Sequence, residues 1–492
     1  MKTVAPPREG SEQPADISLS AQPLEDEAKR VLDHILHQAE EDERNLAYNT
    51  VCKSERARKQ SGSYYTPADV ARFFWDQYFY AAGISSAEQA VTFIRQHRFV
   101  EPSCGSGVLV YALLSKLLSI GAPVEVLREI DLHMVDFNSS ALDYAKRQVA
   151  SINIALGEDY FKPSFEHTDF LDYAGLNSDC PVIVFGNPPF VSNPKGMTWK
   201  NIYADFVDRC LTVASPLAAM HFILPLSIAF SRDYAVLRDK LRVDGYTVFA
   251  SHFDNIPDTL FKSGKPQSNN TNKANSQRCT ILSAFSGVEH RLYCSPLHRW
   301  SATDRATFLA RRTRFHDVTD YQLSDQFIRP VSDSIAVYLQ GQDFSYRLGD
   351  LTDESGNHVL FIGGVARNYI SVRGECGSGV HTFYFRDRVN FYRFLGITVS
   401  DVFFQYWRTV GDGFHLTRSA ILDFPISNAL SSSIDAFIPR VQSVWLRRHH
   451  FVKKKINSGI EIHSYDFSSG MPSLLDVLRK NETKEQIKKE EL

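Results

Sequence analysis

An apolar run that stops abruptly at two prolines constrains this chain more than any other stretch: Val182-Ile183-Val184-Phe185-Gly186-Asn187-Pro188-Pro189-Phe190. The apolar part reads as a buried strand. Consecutive prolines cannot donate to a sheet ladder, and they push Asn187 and Pro188 into extended conformations. The strand therefore ends in a stiff loop, at the carboxyl end where open α/β sheets place their ligands. The loop offers a side-chain amide, carbonyl acceptors and an aromatic ring. That set suits a flat base carrying an amino group. The Asn187 carboxamide oxygen and the Pro188 carbonyl can accept from an NH2, and Phe190 can stack on the ring. The plainer alternative is a strand end followed by a rigid turn, and the neighbouring motifs decide between the two.

The rest of the chain sets the frame. At 492 residues it is too long for one ordinary domain, and 43% hydrophobic content is ample for large cores. Net charge is −3, from 54 basic and 57 acidic residues, so a nucleic-acid face has to be a local concentration of Lys and Arg. The seven cysteines are scattered, with no C-x-x-C pair, which argues for reduced thiols and against a zinc site or disulfide framework. No apolar stretch resembles a signal peptide or reaches the length of a membrane span, so the expectation is a soluble cytoplasmic protein without a membrane partner.

In chain order, residues 1 to about 22 are polar and Pro-rich and are expected to be disordered. Leu24, Ala28, Val31, Leu32, Ile35, Leu36 and Ala39 follow at helical spacing, which predicts an amphipathic helix packed on the main domain or on another subunit. A basic segment, Lys53–Lys59, comes next. Thr66-Pro67 then suits the start of a helix that runs through Val70, Phe73 and Phe74. Arg98 to Glu101 reads as a strand that ends in the small-residue loop Pro102-Ser103-Cys104-Gly105-Ser106-Gly107, with an apolar helix from Val108. The glycines let backbone approach a ligand, and the helix start offers free N–H groups. Val110 stands where a dinucleotide fingerprint needs its third glycine, so pyrophosphate binding is disfavoured. A second strand, Asp131 to Val135, ends at Asp136, where an acid can take two ribose hydroxyls; a plain helix-start acid is the alternative.

Together Tyr65-Thr66-Pro67, Glu101-Pro102-Ser103-Cys104-Gly105-Ser106-Gly107, Asp136, Asp169-Phe170 and Asn187-Pro188-Pro189-Phe190 resemble the ordered motifs of S-adenosylmethionine-dependent adenine-N6 DNA methyltransferases. The order, with the Thr-Pro motif first and recognition last, resembles the gamma arrangement found in type II restriction–modification systems. The likeness runs from about residue 61 to about 300, including Phe222-Ile223-Leu224-Pro225 and Phe253-Asp254-Asn255-Ile256-Pro257-Asp258-Thr259-Leu260-Phe261. Glu101 departs from the family's usual Asp but keeps the carboxylate.

The resemblance implies a doubly wound α/β, Rossmann-like methyltransferase domain at 61–310. It also implies a mixed, β-rich target-recognition domain at 311–480, between a tail with amphipathic helix (1–60) and a charged tail (481–492). It further implies that Thr66, Glu101, Pro102, Cys104, Gly105 and Gly107 hold the methionine part of S-adenosyl-L-methionine. In the same way Asp136 takes the ribose, Phe137 borders the adenine ring, and Asp169, beside Phe170, reads the cofactor's amino group. Asn187, which also borders the cofactor, and Pro188 hold the target amine, beside Pro189 and the stacking ring of Phe190. No metal is implied. Implied partners are double-stranded DNA, with the target base flipped out, and a separately encoded restriction endonuclease. The residues leave three rivals: a protein-glutamine methyltransferase, a catalytically silent DNA-binding subunit, and a combined methylase and nuclease. The loop 262–277, rich in Asn, Ser and Lys, reads as a solvated excursion. Arginines between Arg305 and Arg314 read as a linker helix or a phosphate contact.

Overall fold

The computed structural model describes residues 22–46 and 66–478, apart from 196, 214, 256, 262–276, 288, 322–325, 341–343 and 458–459. The expectations for the first 21 residues, the basic segment Lys53–Lys59, Tyr65, the loop 262–276 and the last residues lie outside these.

Nine strands form the main sheet: β1 (Arg98–Glu101), β2 (Asp131–Asp136), β3 (Ser164–His167), β4 (Asn177–Gly186), β5 (Ser215–Pro225), β6 (Thr247–Phe253), β7 (Cys279–Phe285), β8 (Arg291–His298) and β9 (His316–Asp317). Their spatial order is β3-β2-β1-β4-β5-β7-β6-β8-β9. The first five are parallel, and β7 lies antiparallel between β5 and β6. Parallel strands are covered on both faces, which is why Val182 to Phe185 is an unbroken apolar run with every side chain buried. The strand order reverses between β1 and β4, and such a reversal opens a crevice at the carboxyl ends of the strands.

Helices α1 (Gln22–Leu46), α2 (Ala68–Ala81), α3 (Ala87–Gln96), α4 (Val108–Ser119), α5 (Ser139–Leu156) and α6 (Ile202–Val213) cover the sheet. α4 is apolar over most of its surface because α1 and α2 pack against it and it buries everything from Val108 to Leu114. α1 buries Ala28, Leu32, Ile35, Leu36 and Ala39 against α4 and α5, so the partner that the sequence left open is this same domain. α3 has no counterpart in the sequence reading, although Ser86 and Gln89 form the reciprocal cap that marks its start.

Beyond β9 lies a second, mixed domain. β10 (Phe344–Arg347) pairs with β14 (Pro425–Ser427). β11 (His358–Gly363), β12 (Val372–Arg373), β13 (Val380–Phe385), β15 (Val452–Asn457) and β16 (Ile460–Tyr465) form an antiparallel sheet. Helices Arg388–Thr398, Asp401–Val410 and Asn428–Leu446 pack beside it. The expected α/β domain followed by a β-rich one is the fold observed. One hydrophobic cluster runs from β4 and β5 into this domain without a break. Arg329, fully buried at the seam, donates to the carbonyls of Phe327 at 3.0 Å and Gly411 at 2.6 Å.

Three core histidines are held neutral. His221 donates from Nε2 to the Phe74 carbonyl at 2.9 Å, so its Nδ1 accepts from the Ser283 hydroxyl at 2.8 Å. Burial pushes His221 down to about 3 and His298 to about 4, and holds His252 well below its ordinary value of 6.5. In the unfolded chain these rings take a proton near 6.5, so between there and their folded values the unfolded state binds more protons. Stability therefore falls as pH drops below about 6.5. Urea unfolding at pH 7 and pH 5.5 should show a loss of about 1 kcal/mol per histidine, removed in turn by a neutral isostere at each site. An unfolding midpoint that does not move over this interval would contradict the assignment.

Candidate active site

β1 ends at buried Glu101, and the chain turns through Pro102 to Gly107 into α4. Gly105 and Gly107 adopt φ of 55° and 87°, the left-handed region that glycine alone enters cheaply. A Cβ on Gly107 would lie 2.7 Å from the Tyr111 hydroxyl and 2.9 Å from the Met134 methyl. The Cys104 N–H donates to the Val135 carbonyl at 3.0 Å, which lays the turn against the end of β2. There Asp136, 7% exposed, accepts from the Gly105 N–H at 2.9 Å and from the Asn138 N–H at 2.8 Å. Burial pushes its carboxyl pKa up, against the opposing pull of those two N–H groups. One carboxylate thus ties the Gly-rich turn to the end of the neighbouring strand.

Phe137 follows with 72% of its surface exposed. Asp169 is exposed and accepts from the Leu171 N–H at 2.9 Å. Phe170, in contrast, turns inward and packs on Phe206 with ring centroids 4.8 Å apart, so its ring belongs to the core.

The end of β4 closes the crevice. A Cβ on Gly186 would sit 3.2 Å from the Pro102 ring, so the two turns touch. The Asn187 side-chain nitrogen donates to Thr66 Oγ1 at 3.2 Å, and the Ser103 hydroxyl donates to the Asn187 carbonyl at 3.5 Å. Thr66, Ser103 and Asn187, from three separate segments, converge. Pro188 is buried, and Pro189 is half-buried. Phe190 is half-buried and meets Tyr203 and Phe261 edge to face, at 6.3 and 6.0 Å between centroids. The Tyr203 hydroxyl pairs with Ser227 Oγ at 2.9 Å.

Tyr203, Ser227 and Arg305 were not singled out as site residues, and no local motif marks them. Arg305 is buried and donates to both Asp69 oxygens, at 2.6 and 3.1 Å, and to the carbonyls of Thr259 and Leu260, at 2.7 and 2.8 Å. It fastens the first turn of α2 to the segment that carries Phe261. The expected connecting helix is present, Arg305–Leu309 between β8 and β9, and Arg305 opens it with its guanidinium spent on protein partners. Arg312 instead lies 5.6 Å over Tyr80, and Arg314 pairs with Asp333 at 2.8 Å.

At the seam between the domains, Asp254, 1% exposed, accepts from Arg278 Nε at 2.9 Å and Arg299 Nε at 2.5 Å. Across from them Asp412 accepts from the backbone N–H groups of Phe414 and His415, at 2.8 and 2.6 Å, and Arg367 lies 5.0 Å over Phe414. Among the described residues there is no His/Cys/Asp/Glu group that could hold a metal, and no helix long and apolar enough to cross a membrane.

No protein-family model and no curated protein sequence matches the chain. Among solved structures, the Type IIL restriction–modification enzyme MmeI in complex with DNA is similar, with a TM-score of 0.51 and 13% identity over 87% of this chain and 76% of that one. The DrdV–DNA complex is similar with a TM-score of 0.43 and 13% identity, over 68% of this chain and 38% of that one. The type I restriction–modification methyltransferase subunit from Streptococcus thermophilus is similar with a TM-score of 0.33 and 14% identity, over 48% of each chain. This chain thus spans less than half the length of the last two. The likeness to MmeI is one of fold.

Arg305→Met should cost about 3 kcal/mol of stability, because it strands the Asp69 carboxylate and two buried carbonyls. Urea unfolding measures it, and a loss under about 1 kcal/mol would show that these groups find other partners.

Proposed function

We propose that this chain is a site-specific DNA methyltransferase that modifies the N6 amine of an adenine flipped out of double-stranded DNA, using S-adenosyl-L-methionine. The observation that carries the reading is the meeting of the Gly-rich turn, Asp136, Thr66 and the Asn187–Phe190 loop in one crevice, at the reversal of strand order. The fold shared with a restriction–modification enzyme solved on DNA supports the substrate class, and a separately encoded endonuclease is the expected partner.

The residues fit the cofactor. Left-handed glycines form the tight turn after β1, a buried carboxylate stands at the second strand end, and the exposed Phe137 and Asp169 follow. Thr66, Glu101, Pro102, Cys104, Gly105 and Gly107 would hold its methionine part. Asp136 would hold the ribose, Phe137 would border the adenine ring, and Asp169, beside Phe170, would read the cofactor's amino group. When bound, the cofactor supplies an electrophilic sulfonium methyl group.

The chain's own work is positioning. An adenine amine is a poor nucleophile because its lone pair is delocalised into the ring. The Asn187 nitrogen is engaged by Thr66, which turns the carboxamide oxygen to the role of acceptor. That oxygen and the Pro188 carbonyl hold both amine hydrogens and draw the lone pair out of conjugation. Pro189 stiffens the loop, and no strong base is required. Flipping costs a few kcal/mol, which stacking on Phe190 offsets in part. Recognition falls to the second domain. Arg278 stands at the start of β7, two strands from β4, and with Arg299 it would face the DNA from the seam beside the crevice.

Four variants test this. Asp136→Ala should weaken cofactor binding by about 1–3 kcal/mol in calorimetry. Asn187→Ala should lower methyl transfer at least about a hundredfold while cofactor and DNA still bind. Phe190→Trp should keep most activity and Phe190→Ala lose most of it. Nucleosides from treated DNA, read by mass spectrometry, should contain N6-methyladenine; N4-methylcytosine in its place would overturn the choice of base.

A further inference from the structure

We propose that Glu40, on α1, is a positioning residue for the Asn187 amide, so that the N-terminal helix is a working part of the crevice. The proposal rests on the methyltransferase reading above. α2 begins at Pro67, which has no side chain that can cap a helix. The Val70 N–H finds Asp69 Oδ1 at 2.9 Å, but the Ala68 N–H needs an acceptor from elsewhere. Glu40 supplies one from 28 residues upstream: its Oε2 accepts from the Ala68 N–H at 3.1 Å. The carboxylate is 9% exposed, a costly place for a charge unless it is used, and the positive end of a helix is where one is stabilised. α1 is held to α2 and α4 by a second set of contacts, in which Arg72 of α2 donates to Asp33 at 3.0 Å and the Ser115 hydroxyl of α4 to the same oxygen at 3.2 Å.

What Glu40 steadies lies two residues before Ala68. Thr66 and Ala68 flank Pro67, whose φ of −61° is locked by its ring, so the capped turn and Thr66 move as one body. Thr66 Oγ1 is the atom that receives the Asn187 nitrogen. From Glu40 through the Ala68 N–H and Thr66 to the Asn187 amide the chain of contacts is continuous. Without the cap, the first turn of α2 frays, Thr66 shifts, and the carboxamide loses its fixed orientation toward the target amine.

The test uses the full-length chain in four variants, assayed for DNA methylation, cofactor affinity and unfolding midpoint. Glu40→Ala should lower kcat about tenfold and weaken cofactor binding about threefold to tenfold, with KM for DNA little changed. Glu40→Gln keeps an acceptor at the same reach and should restore wild-type kcat. Glu40→Asp is one methylene short and should resemble Glu40→Ala while keeping the charge. Asp33→Ala loosens the same helix at its other contact and should leave kcat unchanged. The proposal is overturned if Glu40→Ala lowers only the unfolding midpoint, or if Asp33→Ala lowers kcat as much. Should the wild-type chain bind the cofactor but methylate no DNA, the functional reading fails alone, and the cofactor affinities still decide on Glu40. A wild-type chain that binds no cofactor overturns both.

Discussion

The Asn187 amide is held from behind, and the crevice depends on that grip. Its side-chain nitrogen is fixed by Thr66 at 3.2 Å, and the backbone carbonyl of the same residue accepts from the Ser103 hydroxyl at 3.5 Å. Three chain segments far apart in sequence are locked at one point. The parallel register of β1 with β2 and β4 brings the two turns side by side, and Gly186 lets them touch. The prolines after Asn187 remove the backbone freedom that would blur the position. A flat, weakly nucleophilic target gives an enzyme little to work with except geometry, and this loop is built for geometry.

Buried charge serves the same end. Arg305, Arg329 and Asp254 sit where segments meet, and their partners are backbone carbonyls and opposite charges from other segments. Such groups add little net stability compared with apolar replacements, but they tolerate only one docking geometry. Arg305 sets the start of α2 against the strand-end segment that carries Phe261, and so couples the Thr66 side of the crevice to the ring beside Phe190. Arg329 and the Asp254 pairs do the same between the two domains, whose apolar core is continuous.

Much of this was legible in the sequence because it is covalently local. The apolar run into Asn187-Pro188-Pro189, the glycine turn after β1 and the acid that ends β2 each announce themselves within ten residues, and their order along the chain carries the fold. The helix at 22–46 was legible by its spacing, though not its partner, because a stripe of apolar residues does not say what it faces. The insertion of β7 between β5 and β6 was not legible, since it depends on pairing across a long excursion. Nor were the contacts of Glu40, 28 residues from its partner, and Arg305, 236 residues from Asp69. The ring of Phe170 shows the opposite limit: a motif position can carry a fold residue, here packed on Phe206, beside an exposed polar residue.

We propose that this crevice modifies adenine in DNA at a defined site. Methylation-sensitive sequencing of DNA from cells expressing the wild-type chain, beside cells expressing Asn187→Ala, tests it most directly. The account expects N6-methyladenine in one short recurring sequence with the wild type and none with the variant. An unmodified genome under the wild-type chain, with the protein folded and binding its cofactor, would contradict it.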